Sequence, residues 1–376
     1  MNTYNVIVLG ASGSGKTVFL ASMYKQLSIQ RRDSPFFLDV DPEHQRILTQ
    51  KYREIADPGG WPAATKRNEV SEWCFTCRVQ SPDDLRIYTA LQFTYLDYAG
   101  ESLTEPQMGA SQSDFDAKVK DADALLGILD GRKILALMQD ESDGYDFIYS
   151  DLAIILQDMQ RSQNPVHFVI TKWDLLQNRN YTLRDVRMRL QQTPDFQEFV
   201  ESRVKKFTVR LIPVSSVGMR FAELQPNGSM RKIPGAYPQP FQIEMPLVCV
   251  LPDNFKAQID SLKARQVQIQ PHSSTLDRPL ADLLGLVAGS VVRFARGFLL
   301  GSYQFTDTVI DRLLNFVELS AGKRREEAER LRLQRENTLK AVRDEQTAVE
   351  HAITSYLVLV RQLERDFPES VFSRTG

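Results

Sequence analysis

The stretch Tyr-Asn-Val-Ile-Val-Leu-Gly-Ala-Ser-Gly-Ser-Gly-Lys-Thr-Val-Phe-Leu, residues 4–20, decides the fold. Gly10 and Gly15 bracket four residues and are followed by Lys16 and Thr17, which satisfies G-x-x-x-x-G-K-[ST] at every fixed position. Val6 to Leu9 read as a buried strand, and Phe19, Leu20, Met23 and Leu27 recur at helical spacing. The loop therefore has the strand before it and the helix after it that a phosphate-binding loop requires. In such a loop Gly10, Ser12, Gly13, Ser14 and Gly15 wrap backbone N–H groups around phosphate oxygens, and the helix presents its positive end to the same charge. Lys16 is then expected to pair with the β- and γ-phosphates, and the Thr17 hydroxyl to ligate Mg²⁺.

The rest of the chain is compatible with that centre. A length of 376 residues allows two or three domains, and 42% apolar with 25% charged residues is an ordinary globular balance. A net charge near −2 argues against a large nucleic-acid footprint. Three cysteines without framework spacing argue for a reducing compartment. Cys74 and Cys77 have C-x-x-C spacing but lie in an alternating stretch, where residues three apart face opposite sides of a strand, so they read as packing. The absence of a leader before Tyr4 and of a prenylation box at the end points to a cytoplasmic protein.

Following the chain, residues 31–40 are irregular and 43–55 helical, which suggests an insertion. Asp57-Pro-Gly-Gly-Trp-Pro62 is loop chemistry, with Thr65 shortly after it. Residues 72–79 and 87–96 both alternate, are rich in aromatic and β-branched residues, and are joined by Ser81-Pro-Asp-Asp84, so they read as a hairpin. Its second strand runs into Asp97-Tyr-Ala-Gly100-Glu101. An acid at the carboxyl end of a strand beside a phosphate loop is placed to organise Mg²⁺, and Asp97 is expected to hold the metal through water. Gly100 lets a backbone N–H approach the γ-phosphate with no side chain intervening.

Residues 123–130 are a second apolar run, and His167-Phe-Val-Ile-Thr-Lys-Trp-Asp174 is a buried-type strand ending in Thr171, Lys172 and Asp174. A carboxylate can accept from the N1–H and exocyclic amine of guanine together, whereas adenine offers no such pair of donors. Each charge-assisted bond of that kind is worth roughly 1.5–3 kcal/mol. Lys172 would lie along the base plane. A last strand at 208–214 ends in Ser215-Ser216-Val-Gly218, whose N–H and hydroxyl groups could reach the guanine carbonyl.

Four strand-end motifs in this order resemble the small Ras-like GTPases of the translation-factor-related P-loop class, over about residues 1–257. The Trp-Pro-Ala-Ala-Thr stretch at 61–65, with an insertion before it, is similar to the bacterial double-GTPases. The resemblance implies a mostly parallel α/β sheet with helices on both faces, GTP/GDP and Mg²⁺ as cofactors, and GTP hydrolysis. It makes Thr65 the first-switch threonine, a metal ligand beside Thr17 and Asp97. Lys16, Thr65, Gly100 and Glu101 become the catalytic set. The base-binding set becomes Thr171, Lys172, Asp174, Ser215 and Ser216. Three departures stand out. Thr171 replaces an asparagine, which should weaken loop bracing more than base choice. Ser12 stands where Ras itself has glycine. Glu101 replaces the glutamine that orients the attacking water; it can accept from water but cannot donate, so hydrolysis should be slow. Lys66 and Arg67 read as solvated loop charges.

Beyond a boundary near 258 the chain reads as an all-helical region, 259–376. Leu283, Leu284, Val287, Val291, Phe294 and Phe298 form a helical stripe, with Gly285 and Gly289 in a G-x-x-x-G, and the uninterrupted apolar part is too short to span a bilayer. Core packing is favoured over a membrane or partner surface. Lys323 to Glu336 suggests a solvated helix. Leu339, Val342, Gln346, Val349, Ile353, Tyr356, Val360, Leu363 and Phe367 make a four-heptad seam with one polar break. It would pair with a helix at 305–320 in a hairpin turning at Ala321-Gly322, which is favoured, or with a second chain. The expectation is a GTP-binding switch that hydrolyses slowly, meets an activating or exchange protein, and signals through its switches or C-terminal helices. Its rivals are a non-hydrolysing GTP-bound scaffold and a dynamin-like GTPase touching membrane through 280–300.

Overall fold

A computed structural model describes residues 3–31, 34–62, 70–98, 110–257, 312–313, 315–316 and 324–372. Thr65, Lys66, Arg67, Gly100, Glu101, the 283–298 stripe and the 321–322 turn lie outside the described residues. The centre is an eight-stranded sheet. In chain order its strands are β1 (Thr3–Leu9), β2 (Phe37–Asp39), β3 (Val70–Gln80), β4 (Ile87–Tyr98), β5 (Ala124–Asp130), β6 (Val166–Thr171), β7 (Val209–Pro213) and β10 (Val371–Phe372), arranged β10-β7-β6-β5-β1-β4-β3-β2. Strands β7, β6, β5, β1 and β4 are parallel, while β3, β2 and β10 run antiparallel to their neighbours. Every residue of β5, β6 and β7 is buried, as expected of parallel strands covered on both faces. A separate two-stranded ribbon pairs β8 (Ala222–Leu224) with β9 (Met230–Lys232).

Alternation along β1 divides the core. Tyr4, Val6 and Val8 face one cluster, which takes in α1 (Lys16–Leu27), α2 (Pro42–Ala56) and α10 (Met245–Val248). Ile7 and Leu9 face the other. That side is covered by α3 (Ala110–Asp121), α4 (Gly131–Met138), α6 (Ala153–Gln160), α7 (Trp173–Gln177), α8 (Leu183–Gln191) and α9 (Pro194–Arg203). A short α5 (Ser142–Asp146) and a π-helical turn lead into α6. The doubly covered sheet expected from the sequence is thus present, as is the hairpin, whose register runs from Val70 opposite Tyr98 to Gln80 opposite Ile87. Cys77 is fully buried beneath Tyr356, whose hydroxyl lies 3.1 Å from its sulfur, while Cys74 sits on the other face near Thr94. Among the described residues no group of three or more His, Cys, Asp or Glu could hold a metal.

Two sequence expectations need correction. Residues 36–40 are not irregular: Phe36, Leu38 and Val40 alternate into the core and 37–39 form an edge strand, too short for periodicity to reveal. The heptad-like pattern is not one helix either. α11 (Arg324–Lys340) ends, and α12 (Glu345–Asp366) starts afresh at Asp344, which accepts the Thr347 N–H at 2.8 Å while Thr347 Oγ1 accepts the Asp344 N–H at 3.1 Å. That reciprocal cap sets a helix start. The seam residues Val349, Ile353, Tyr356, Val360 and Leu363 are all buried, and α12 lays them against β3, β4 and α10. Tyr356 meets Phe36 edge-on at 5.0 Å. Of the 305–320 segment, Arg312 reaches Thr354 at 2.7 Å and Glu350 at 2.8 Å, and Arg361 donates to the Phe316 carbonyl at 2.6 Å, so the described part does pack on α12. No helix among the described residues is long and apolar enough to cross a membrane.

The attachment of α12 includes a buried ion network. Arg210, in mid-β7, pairs bidentately with Asp253 and reaches Glu364 of α12 at 3.2 Å, and His167 of β6 donates to Asp253 at 2.9 Å. Farther along, Arg187 of α8 donates to the carbonyls of Glu369 and Val371 at 3.0 and 2.9 Å and stacks on Phe372, tying β10 to the sheet edge.

His351 of α12 is fully buried, its Nε2 donating to the Pro35 carbonyl at 3.2 Å and its Nδ1 meeting the Thr338 hydroxyl at 3.0 Å. Burial pushes its pKa down from 6.5 to about 4. Because the folded value lies below the unfolded one, this contribution to stability is complete above the unfolded pKa and is lost as pH falls from about 6.5 toward 4. At pH 4.5 wild type should have lost about 2–3 kcal/mol relative to pH 7 from this residue alone. Urea unfolding at both pH values, compared with His351→Gln, isolates the effect: the variant should lose correspondingly less.

Candidate functional site

Strand register brings the candidate residues to one edge of the sheet. Val8 stands opposite Asp97, Leu9 opposite Gly127, Asp130 opposite Thr171, and Ile170 opposite Pro213. The carboxyl ends of β1, β4, β5, β6 and β7 therefore lie side by side, and the loop after central β1 emerges among them, where open α/β sheets place their ligands.

The loop is shaped by backbone constraints. A Cβ on Gly10 would come within 3.0 Å of both Ile128 Cβ and the Ile128 carbonyl, and Gly15 takes φ +96° to start α1. Gly15 supplies no side-chain cap and the first turn holds no acid, so the positive end of α1 is kept for an anion. Lys16 is buried and arches over the loop, donating to the Gly10 carbonyl at 2.6 Å and to Ala11 at 3.3 Å. Ser12 and Gly13 are exposed at the loop crest, whereas Ser14 is buried. Thr17 sits in the first turn of α1, and Asp97 near the end of β4, next to β1. A hydroxyl and a carboxylate are the hard oxygen donors that suit Mg²⁺.

The second half of the site braces the first. Thr171 Oγ1 donates to the Ser14 carbonyl at 2.6 Å and also lies 3.1 Å from Leu129 O, so the threonine does reach the loop with its single proton. Lys172, held at φ +50°, spans to the Gly13 carbonyl at 3.0 Å. The same ammonium sits 2.9 and 2.8 Å from the two carboxylate oxygens of Asp130. Asp130 also accepts the Arg132 N–H at 2.9 Å, capping α4. The sequence reading left Asp130 unassigned; its signal was an acid closing an apolar run at a strand end.

Asp174 is almost fully buried, and Ser215 Oγ donates to it at 2.6 Å. Ser215 Oγ in turn accepts the Gly218 N–H at 2.9 Å. Gly218 is at φ +85°, and a Cβ there would stand 2.1 Å from the Gln239 carbonyl. Ser216 is buried beside it. Burial raises the Asp174 carboxyl above its ordinary range, opposed by the Ser215 hydroxyl and more distantly by Lys172. A desolvated carboxylate of this kind is well matched to a ligand edge bringing two N–H donors, so the residues present fit a guanine base.

Loop, sheet edge and second half together define a P-loop nucleotide-binding protein. A family model, Double-GTPase 2, matches residues 5–223, more than half of the 376 residues, and the chain belongs to that family of GTP-binding P-loop GTPases. Comparison with curated proteins finds no match.

Proposed function

We propose that the protein is a guanine-nucleotide switch that hydrolyses GTP to GDP slowly and hands its state to partners through its switch segments or its C-terminal helices. One observation carries the reading: Asp174, oriented by Ser215, is joined through Thr171 and Lys172 to the loop around Lys16. Base recognition and phosphate binding are thereby one braced unit.

Lys16 would take up charge on the β- and γ-phosphates, reaching them from the loop carbonyls it now holds. Mg²⁺, when bound, neutralises phosphate charge, and Thr17, Asp97 and Thr65 are the residues that would hold it. The Gly100 N–H would meet the γ-phosphate, and Glu101 would accept a hydrogen bond from the in-line water without being able to donate one. Cytoplasmic residence and control by an activating or exchange protein belong to the same proposal.

Titration with GTP, GDP and ATP in Mg²⁺, followed by single-turnover phosphate release, tests it. Guanine-selective binding with slow release is expected. Glu101→Gln should speed release about tenfold, which is about 1.4 kcal/mol off the barrier. Equal binding of ATP would overturn the base assignment. Tight GTP binding with no release in either form would replace the switch with a GTP-bound scaffold.

A further inference from the structure

The start of α4 presses directly on the backbone of the base motif. Asp130 stands opposite Thr171 in the pairing of β5 with β6, and Gly131 follows it. A Cβ on Gly131 would stand 2.1 Å from the Thr171 carbonyl oxygen and 2.9 Å from that of Lys172, so any side chain there would force the two segments apart. That close approach puts the Asp130 carboxylate within reach of the Lys172 ammonium.

Each proton of that ammonium has an acceptor. The Gly13 carbonyl takes one at 3.0 Å, and the two Asp130 oxygens take the others at 2.9 and 2.8 Å. The same carboxylate accepts the Arg132 N–H at 2.9 Å, so it is fixed to the first turn of α4 before it meets the lysine. The Asp130 side chain is 7% exposed and that of Lys172 26%, so the acid is the rigid, desolvated member of the pair and the lysine the one with access to water.

We infer that Asp130 is a positioning residue for nucleotide binding: it fixes the Lys172 side chain, whose stem is proposed to lie along the base, before a nucleotide arrives. This rests on the guanine-nucleotide reading above. An untethered lysine loses the freedom of its whole stem when a base settles on it, whereas one already held by a carboxylate and a carbonyl has little left to lose. The gain falls equally on GDP and GTP, because both carry the same base. The competing account is that Asp130 only caps α4.

Asn and Ser are both good N-caps, so Asp130→Asn and Asp130→Ser keep the bond to Arg132 and separate the cap from the ion pair. Asn removes the charge; Ser removes the charge and the reach. Affinities for GDP and a non-hydrolysable GTP analogue with Mg²⁺, and nucleotide-free thermal midpoints, are measured on the full chain for wild type, both variants, Lys172→Met and the Asp130→Asn, Lys172→Met double variant. Asp130→Asn should weaken both nucleotides about tenfold and Asp130→Ser at least as much, with the GTP-to-GDP ratio unchanged. Midpoints should stay close to wild type, since Lys172 can turn to water. On top of Lys172→Met, which keeps the stem and removes the charge, Asp130→Asn should change affinity by less than about twofold, because its effect runs through the lysine. Affinities within about twofold of wild type in both single variants would overturn the inference and leave a cap, as would an equal loss with and without Lys172. The two single variants carry the test if Lys172→Met does not fold. Wild type without guanine affinity would instead sink the base-site reading on which the inference rests.

Discussion

Asp174→Asn should lower GTP and GDP affinity about 10²- to 10³-fold, roughly 3–4 kcal/mol, while leaving the thermal midpoint close to wild type. The carboxylate offers acceptors to two adjacent guanine donors, and an amide offers one acceptor and one donor. One charge-assisted bond becomes a neutral one, and the other becomes a meeting of two donors. The fold should tolerate the change because the amide oxygen can still accept from Ser215, whose hydroxyl now sits 2.6 Å from Asp174. The same argument predicts a gain. Xanthine carries a carbonyl where guanine carries its exocyclic amine, so the variant should bind xanthine nucleotides better than wild type does. Fluorescence titration with guanine and xanthine diphosphates measures both. An unchanged guanine affinity would remove Asp174 from the base site.

The second large effect should come from the opposite end of the sheet. Asp253→Asn is expected to destabilise the protein by about 3–5 kcal/mol, because it leaves the Arg210 guanidinium buried with its charge poorly compensated. Arg210 and Asp253 are each no more than 2% exposed. Burial alone would raise the Asp253 carboxyl, but Arg210 and the His167 hydrogen bond outweigh it and hold it at about 2. The pair therefore stabilises the fold above the unfolded carboxylate pKa and fails only as pH falls through that low value. Glu364 keeps Arg361 at 2.8 Å, so replacing both members, Arg210→Met with Asp253→Leu, should recover part of the loss, the remainder being the cost of the buried His167 N–H that loses its Asp253 acceptor. Urea unfolding of the single and double variants reads the difference. A single variant as stable as wild type would show that the network does not hold α12 to β6 and β7.

Much of the candidate site was legible because its determinants are local. The glycine spacing of 10–15, the lysine that follows, and the strand and helix on either side are contiguous in the chain, and their backbone requirements select those residue types. The motif at 171–174 was readable for the same reason: a strand ends there, and Asp174, the residue proposed to meet a base, is in the first turn of the helix that follows. Asp130 escaped because its role is set by Lys172, 42 positions away and adjacent only through the pairing of β5 with β6.

The C-terminal helix shows the same division. Periodicity from 339 to 367 reported that the stripe Val349, Ile353, Tyr356, Val360 and Leu363 is buried, since burying apolar area is what such a pattern is for, but every residue from His351 to Arg361 is buried, so α12 is covered all round there and not on one face. It could not say against what, because a stripe of Val, Ile, Leu and Tyr fits a helix, a second chain or a sheet equally well. Only the tertiary structure placed that stripe on β3 and β4, and it let the cap at Asp344 divide the run. By itself the sequence pointed to the phosphate loop, the candidate base motif and the strands that carry them, since these depend on backbone conformations within a few residues. The tertiary structure decided which distant charges hold those motifs in place and which surface receives α12, because those depend on shape and desolvation that arise only when the chain is folded.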